Sequence, residues 1–142
     1  MLSSSQNLSN ISLPIPSTYQ IINPGDDCTT FSSTAKYMYI QDGSCNENTV
    51  TEFILSGMNN LEEVRIGKNC FKHAQSVVIQ NLTSLKSLIF SSYSFNSNPQ
   101  LIPPLHRLNS FLEITNCPSL STIEFEMYSF GDFDRFHMSG MR

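Results

Sequence analysis

The chain has 142 residues, with 8 Lys and Arg against 12 Asp and Glu, and a formal net charge of −4 at pH 7. One domain is the expectation at this length. Charged residues make up only 14% and the basic ones are scattered, which leaves no clustered positive surface for nucleic acid or an anionic membrane, and no apolar run approaches the ~20 residues of a membrane-spanning helix.

In chain order, residues 1–27 are rich in Ser, Asn and Pro and read as a flexible leader. The leader lacks the basic end and continuous apolar core of a secretory signal, which favours an intracellular chain. Its Leu8, Ile11, Leu13, Ile15, Tyr19, Ile21 and Ile22 are apolar enough to drape over a neighbour. Residues 28–50 follow as a capping segment. Tyr37 to Ile40, ended by Asp42 and Gly43, has the alternation and turn residues of a strand. It is expected to cover Phe53 and Leu55 at the start of the next segment. Cys28 and Cys45 flank this strand and could pair in an oxidising compartment, whereas an intracellular chain would keep them as thiols.

From residue 51 onward the chain repeats itself. LEEVRIGKNCF begins at Leu61, LKSLIFSSYSF at Leu85 and LSTIEFEMYSF at Leu120. Upstream of each lies a shorter match: Phe53, Val77, Leu112 and Phe136 form one column, and Leu55, Ile79, Ile114 and Met138 form another two positions on. Ile54, Val78, Glu113 and His137 stand between them. A period of two with a variable middle residue predicts a strand with one buried face. The second run behaves likewise, with Val64, Leu88, Ile123, Ile66, Phe90 and Phe125 inward and Arg65, Ile89 and Glu124 outward.

Met58, Leu82 and Cys117, then Leu61, Leu85 and Leu120, fill a bend between the two runs. Phe71, Phe95 and Phe130 close each unit and should stack as an aromatic ladder. The residues after them, 72–76 and 131–135, are too few for a full helix and should form turns. Leu55 to Ile79 is 24 positions, and so is Ile114 to Met138, but Ile79 to Ile114 is 35. The 11 extra residues fall in an insertion at 96–107, whose three prolines predict a loop. Repeats that absorb length at one edge while their strands stay aligned should stack, each strand parallel to its counterpart in the next unit.

The order Leu82, Leu85, Leu88, Phe90 resembles a leucine-rich repeat, and Val64 to Phe71 resembles the BspA-like subclass, over residues 51–142. The resemblance implies a mostly β fold: a leucine-rich-repeat solenoid of short parallel strands, with about three full repeats of ~24 residues, a partial fourth and few or no long helices. The usual Asn after the main strand occurs only as Asn69, with Tyr93 and Tyr128 at the matching places, while Gly57, Asn81 and Asn116 form a different aligned column. The fourth unit starts at Phe136 and stops without a polar cap. That end suits a piece of a longer array, the preferred expectation, or end-to-end association through the uncapped last unit.

Few residues point to chemistry. Cys117 shares the column of Met58 and Leu82, and Cys70 that of Ser94 and Ser129, so both are expected as core thiols. Cys70 with His73 is too sparse for a metal site, and Asp132 with Asp134 falls far short of calcium's ligand number. His73, His106 and His137 read as solvated side chains. No catalytic set assembles, and no metal or cofactor is expected. Asn7, Asn10 and Asn81 begin glycosylation triplets; Asn81 sits between buried columns, where modification is expected to disrupt the stack.

The functional expectation is therefore a non-enzymatic scaffold that binds another protein through the outward faces of its strands. Candidate partner-binding residues are Ile54, Arg65, Val78, Ile89, Glu113 and Glu124. Ile54, Val78 and Ile89 are apolar at outward positions and are expected to form one patch. Leu101, Ile102, Leu105 and His106 in the insertion offer a second surface. The alternative, implied by the resemblance, is a truncated piece of a larger leucine-rich-repeat surface, adhesion or receptor-kinase-type protein whose effector domain is absent.

Overall fold

Short alternating runs of apolar and polar residues give nine β-strands in a computed structural model that describes residues 18–96 and 107–141. They are β1 (Tyr19–Ile22), β2 (Tyr37–Ile40), β3 (Glu52–Ser56), β4 (Glu63–Ile66), β5 (Ser76–Gln80), β6 (Ser87–Phe90), β7 (Arg107–Thr115), β8 (Thr122–Phe125) and β9 (Phe133–Ser139). There is no helix among the described residues. One sheet has the order β1-β2-β4-β6-β8 and the other β3-β5-β7-β9. Every pairing is parallel. From β2 onward the chain alternates between the sheets, so it winds, and each circuit adds one strand to each sheet.

The register aligns like residues. Phe53 pairs with Val77, Val77 with Leu112 and Leu112 with Phe136; in the other sheet Val64 pairs with Leu88 and Leu88 with Ile123. Inward residues of both sheets meet in one core, in which Phe53, Leu55, Val64, Ile66, Val77, Ile79, Leu88 and Phe90 are fully buried. A one-residue slip would turn these side chains to solvent, which pins the register.

Phe71, Phe95 and Phe130 form the expected column. Phe71 and Phe95 stack at 4.7 Å with planes 3° apart, and Phe95 and Phe130 at 4.6 Å with planes 4° apart. Their backbones are held by Phe71 N to Ser44 O at 3.3 Å, Phe95 N to Cys70 O at 2.8 Å and Phe130 N to Ser94 O at 2.9 Å. All three residues have left-handed backbones, with φ of 58°, 55° and 55°. For a bulky side chain that conformation is costly, and ring burial offsets the cost.

The turns align as well. Gly57, Asn81, Asn116 and Gly140 share a left-handed column with φ of 68°, 57°, 54° and 74°, and Asn116 Nδ2 donates to Asn81 Oδ1 at 2.7 Å. Gly140 is required there, because a Cβ would lie 2.7 Å from Asn116 N. Leu61, Leu85 and Leu120 close tight bends through N–H bonds to Met58, Leu82 and Cys117 carbonyls. Glu62 lies between Lys36 at 3.6 Å and Lys86 at 3.5 Å, one residue from each of three circuits.

Several expectations need correction. The leader expected over 1–27 contributes β1, because Tyr19–Ile22 pairs with Tyr37–Ile40 and buries Ile22. β2 extends the five-stranded sheet by pairing with β4, and its Met38 and Ile40 join the core that holds Phe53 and Leu55. Phe31 also packs on Phe53, edge-on at 5.5 Å. Cys28 and Cys45 form a disulfide, with Cα atoms 5.8 Å apart, that closes the connection between β1 and β2 into the core. Arg107, expected at the end of the insertion loop, already belongs to β7, which bulges between its pairings Arg107 with Phe133 and Phe111 with Arg135. Residues 97–106, including Leu101, Ile102, Leu105 and His106, lie outside the described residues, as do Asn7 and Asn10.

Candidate partner-binding faces

The six candidate residues divide between the two sheets. Arg65, Ile89 and Glu124 follow one another in register across β4, β6 and β8, and Ile54, Val78 and Glu113 across β3, β5 and β7. The core lies between the sheets, so the expected single apolar patch of Ile54, Val78 and Ile89 does not form. Ile54 is 42% exposed and Val78 is half-buried beside it, but Ile89 is only 8% exposed. Long neighbours flank Ile89 on both sides in its row, Arg65 and Glu124, and long side chains can shelter an apolar one with their stems.

The outer face of the five-stranded sheet has two full rows. Tyr19, Tyr37, Glu63, Ser87 and Thr122 make one, and Ile21, Tyr39, Arg65, Ile89 and Glu124 the other. Three tyrosines meet at its β1–β2 end, with ring centroids 5.1 Å apart for Tyr19 and Tyr37 and 5.9 Å for Tyr19 and Tyr39. All three are half-buried. Burial, followed by the Glu63 carboxylate beside it, pushes the Tyr39 phenol up to about 12. Arg65 reaches Glu63 at 3.7 Å. Its Nε is buried without a hydrogen-bond partner among the described residues.

The sequence pattern missed the tyrosines as part of a face. A signal was present in the alternation Tyr37, Tyr39 against Met38, Ile40, the same as in Glu63, Arg65 against Val64, Ile66. The spacing hid it: Tyr37 stands 26 residues before Glu63 and Tyr19 stands 18 before Tyr37, not 24.

The four-stranded sheet presents the row Ile54, Val78, Glu113 and His137. At its β9 edge a cleft is lined by Phe111, Leu112, Glu113, Arg135, Phe136 and His137. The Arg135 guanidinium lies over the Phe111 ring at 5.8 Å. The cleft mixes the charged Glu113 and Arg135 with the apolar Phe111, Leu112 and Phe136.

The last circuit is different in kind. Phe125, Phe136 and Met138 occupy columns that are fully buried in the preceding circuits, yet they are exposed, as are Met127 and Tyr128. Among the described residues Ile54 is the one other large apolar side chain exposed to this degree.

Reactive groups are confined. Cys70 is fully buried, its Sγ donating to Gln41 O at 3.1 Å, and burial pushes its thiol up to about 11. Burial also raises the Cys117 thiol. Neither is poised as a thiolate nucleophile. No cluster of three or more His, Cys, Asp or Glu side chains could hold a metal ion among the described residues. No described helix is long and apolar enough to cross a membrane.

No protein-family model, no curated protein and no solved structure matches this chain.

Proposed function

We propose that the chain is a leucine-rich-repeat-type solenoid, of the BspA-like kind its motifs resemble, acting as a non-enzymatic scaffold that holds another protein on the outer face of its five-stranded sheet. The observation that carries this reading is the joining of Tyr19, Tyr37 and Tyr39 with Arg65 and Ile89 on two adjacent rows. Tyrosine and arginine are the side chains that most often anchor a protein partner, because each offers a large contact area with a polar tip. The half-buried rings lose little freedom on docking, and the part-exposed Arg65 guanidinium offers donors to a partner's carbonyl or carboxylate. Glu63 and Glu124 flank the apolar centre and would reject a partner with misplaced acidic groups.

The disulfide and its burial support an oxidising compartment over the intracellular setting that the leader suggested. A second reading concerns the last circuit. Its exposed Phe125, Phe136 and Met138 and the edges of β8 and β9, unpaired among the described residues, favour contact with a further coil, as part of a longer array or end to end with another copy.

Photo-crosslinking tests the first reading. A benzophenone side chain replaces Tyr37 in one variant and Ile54 in another. Capture of a partner from the Tyr37 position, its loss in Arg65→Glu, and little capture from the Ile54 position support the five-stranded face. Equal capture from both positions, unaffected by Arg65→Glu, defeats it.

A further inference from the structure

Asn81-Leu82-Thr83 is a glycosylation triplet, and its placement differs from the sequence expectation. Leu82 points into the core and is fully buried, while Asn81 and Thr83 on either side are exposed. The turn is closed by Leu85 N to Leu82 O at 3.4 Å, which fixes the triplet at the surface with only its middle residue engaged in packing. Asn81 directly follows Gln80, the last residue of β5, on the rim of the four-stranded sheet.

The carboxamide of Asn81 is oriented by the column it belongs to. Its Oδ1 accepts from Asn116 Nδ2 at 2.7 Å on the following circuit. Its own Nδ2 therefore turns away from Asn116, and no described residue bonds it. On the preceding circuit the same column holds Gly57, where an added Cβ would meet nothing within 4 Å. The column therefore has open space on its Gly57 side, opposite the Asn116 hydrogen bond. A substituent there would keep both the Asn116 hydrogen bond and the packing of Leu82.

The second, independent observation is the buried disulfide between Cys28 and Cys45. It fits a chain that folds in the oxidising lumen where asparagine-linked glycans are attached. We infer that Asn81 Nδ2 is an acceptor for an N-linked glycan, transferred from an oligosaccharide diphospholipid. In that step the bond from Nδ2 to C1 of the first sugar forms and the bond from C1 to the diphosphate oxygen breaks. The lipid diphosphate leaves, and the amide gives up one proton. Glycans at this rim stand beside the four-stranded sheet and leave the tyrosine face of the other sheet open. The inference does not depend on which face binds a partner.

The test uses the full chain entering endoplasmic-reticulum microsomes behind a cleavable signal sequence. Asn7→Gln and Asn10→Gln leave Asn81 as the single triplet. Signal cleavage reports entry. The expected result is one endoglycosidase-sensitive mass increment, abolished by Thr83→Ala and equally by Asn81→Gln, on protein that keeps its disulfide and resists protease as the deglycosylated chain does. Entry without an increment overturns the inference. So does an increment confined to protease-sensitive, misfolded chains, because the glycan would then be incompatible with the stack.

Discussion

Cys45 and Phe71 stand at the same place on successive circuits, each five residues beyond the register partners Ile40 and Ile66. Both are buried, with left-handed φ of 64° and 58°, and Phe71 N bonds to Ser44 O at 3.3 Å. The aromatic column of Phe71, Phe95 and Phe130 thus ends on a cysteine, which the disulfide to Cys28 ties to the connection between β1 and β2. A ring at this place would need a further circuit to cover it. The disulfide does so with fewer atoms.

Removing that tie should weaken the β1–β2 end first. The cross-link spans a sequence separation of 17, for which loop-closure entropy gives about 3 kcal/mol. Cys28→Ser with Cys45→Ser is expected to lower the urea midpoint accordingly. Hydrogen exchange should rise in Tyr19–Ile22 and Tyr37–Ile40 before Glu63–Ile66.

Phe95 is sandwiched between Phe71 and Phe130 and touches Phe90 edge-on at 5.9 Å. Phe95→Ala should cost ~3–5 kcal/mol, since a large cavity opens in the middle of the column. Phe125→Ala, at an exposed ring, should cost much less by the same chemical denaturation.

Gly67 packs directly on the preceding circuit. An added Cβ would lie 2.6 Å from Asp42 Oδ1, 2.7 Å from Asp42 N and 2.8 Å from Ile40 O, and two of these are backbone atoms that cannot swing aside. Gly67→Ala is expected to destabilise by ~1–3 kcal/mol. It should also loosen the bonds from Gly67 N to Ile40 O and from Lys68 N to Asp42 Oδ1, both at 2.8 Å, seen as faster amide exchange at those two residues.

Cys70 gives a pH signature. Burial lifts its thiol from 9.0 to about 11, so the folded chain holds the proton to higher pH than the unfolded one. Its contribution is fully present below about pH 9 and is lost as pH rises to about 11. Two pH units correspond to roughly 2–3 kcal/mol. Stability should fall over that window in the native chain, and less so in Cys70→Ala, when denaturant midpoints of the two are compared across the range.

The parallel pairing from β3 onward was legible because like residues recur at a constant step, and the register follows the columns that put Phe53 on Val77 and Val64 on Leu88. The strand β1 was not, because its four residues lie in a polar, Pro-rich surrounding and its spacing to β2 is shorter than the repeat. The disulfide was open, since two cysteines flanking a strand fit either redox state until their Cα atoms are placed. Ile89 shows the limit of alternation: period two fixes which side of a sheet a residue occupies, but its neighbours across the strands decide whether water reaches it. The exposure of Asn81 was obscured in the same way, because a bend between buried columns can turn one residue outward without breaking either column.

Contacts among phenyl rings in solution give the most direct check on the winding. With selectively labelled phenylalanine, ring-proton nuclear Overhauser effects should link Phe71 to Phe95 and Phe95 to Phe130, residues 24 and 35 apart in sequence. Both links present means that successive circuits lie one upon another. If a folded sample gives neither, the circuits are not stacked, and the rows assigned to a partner have no common face.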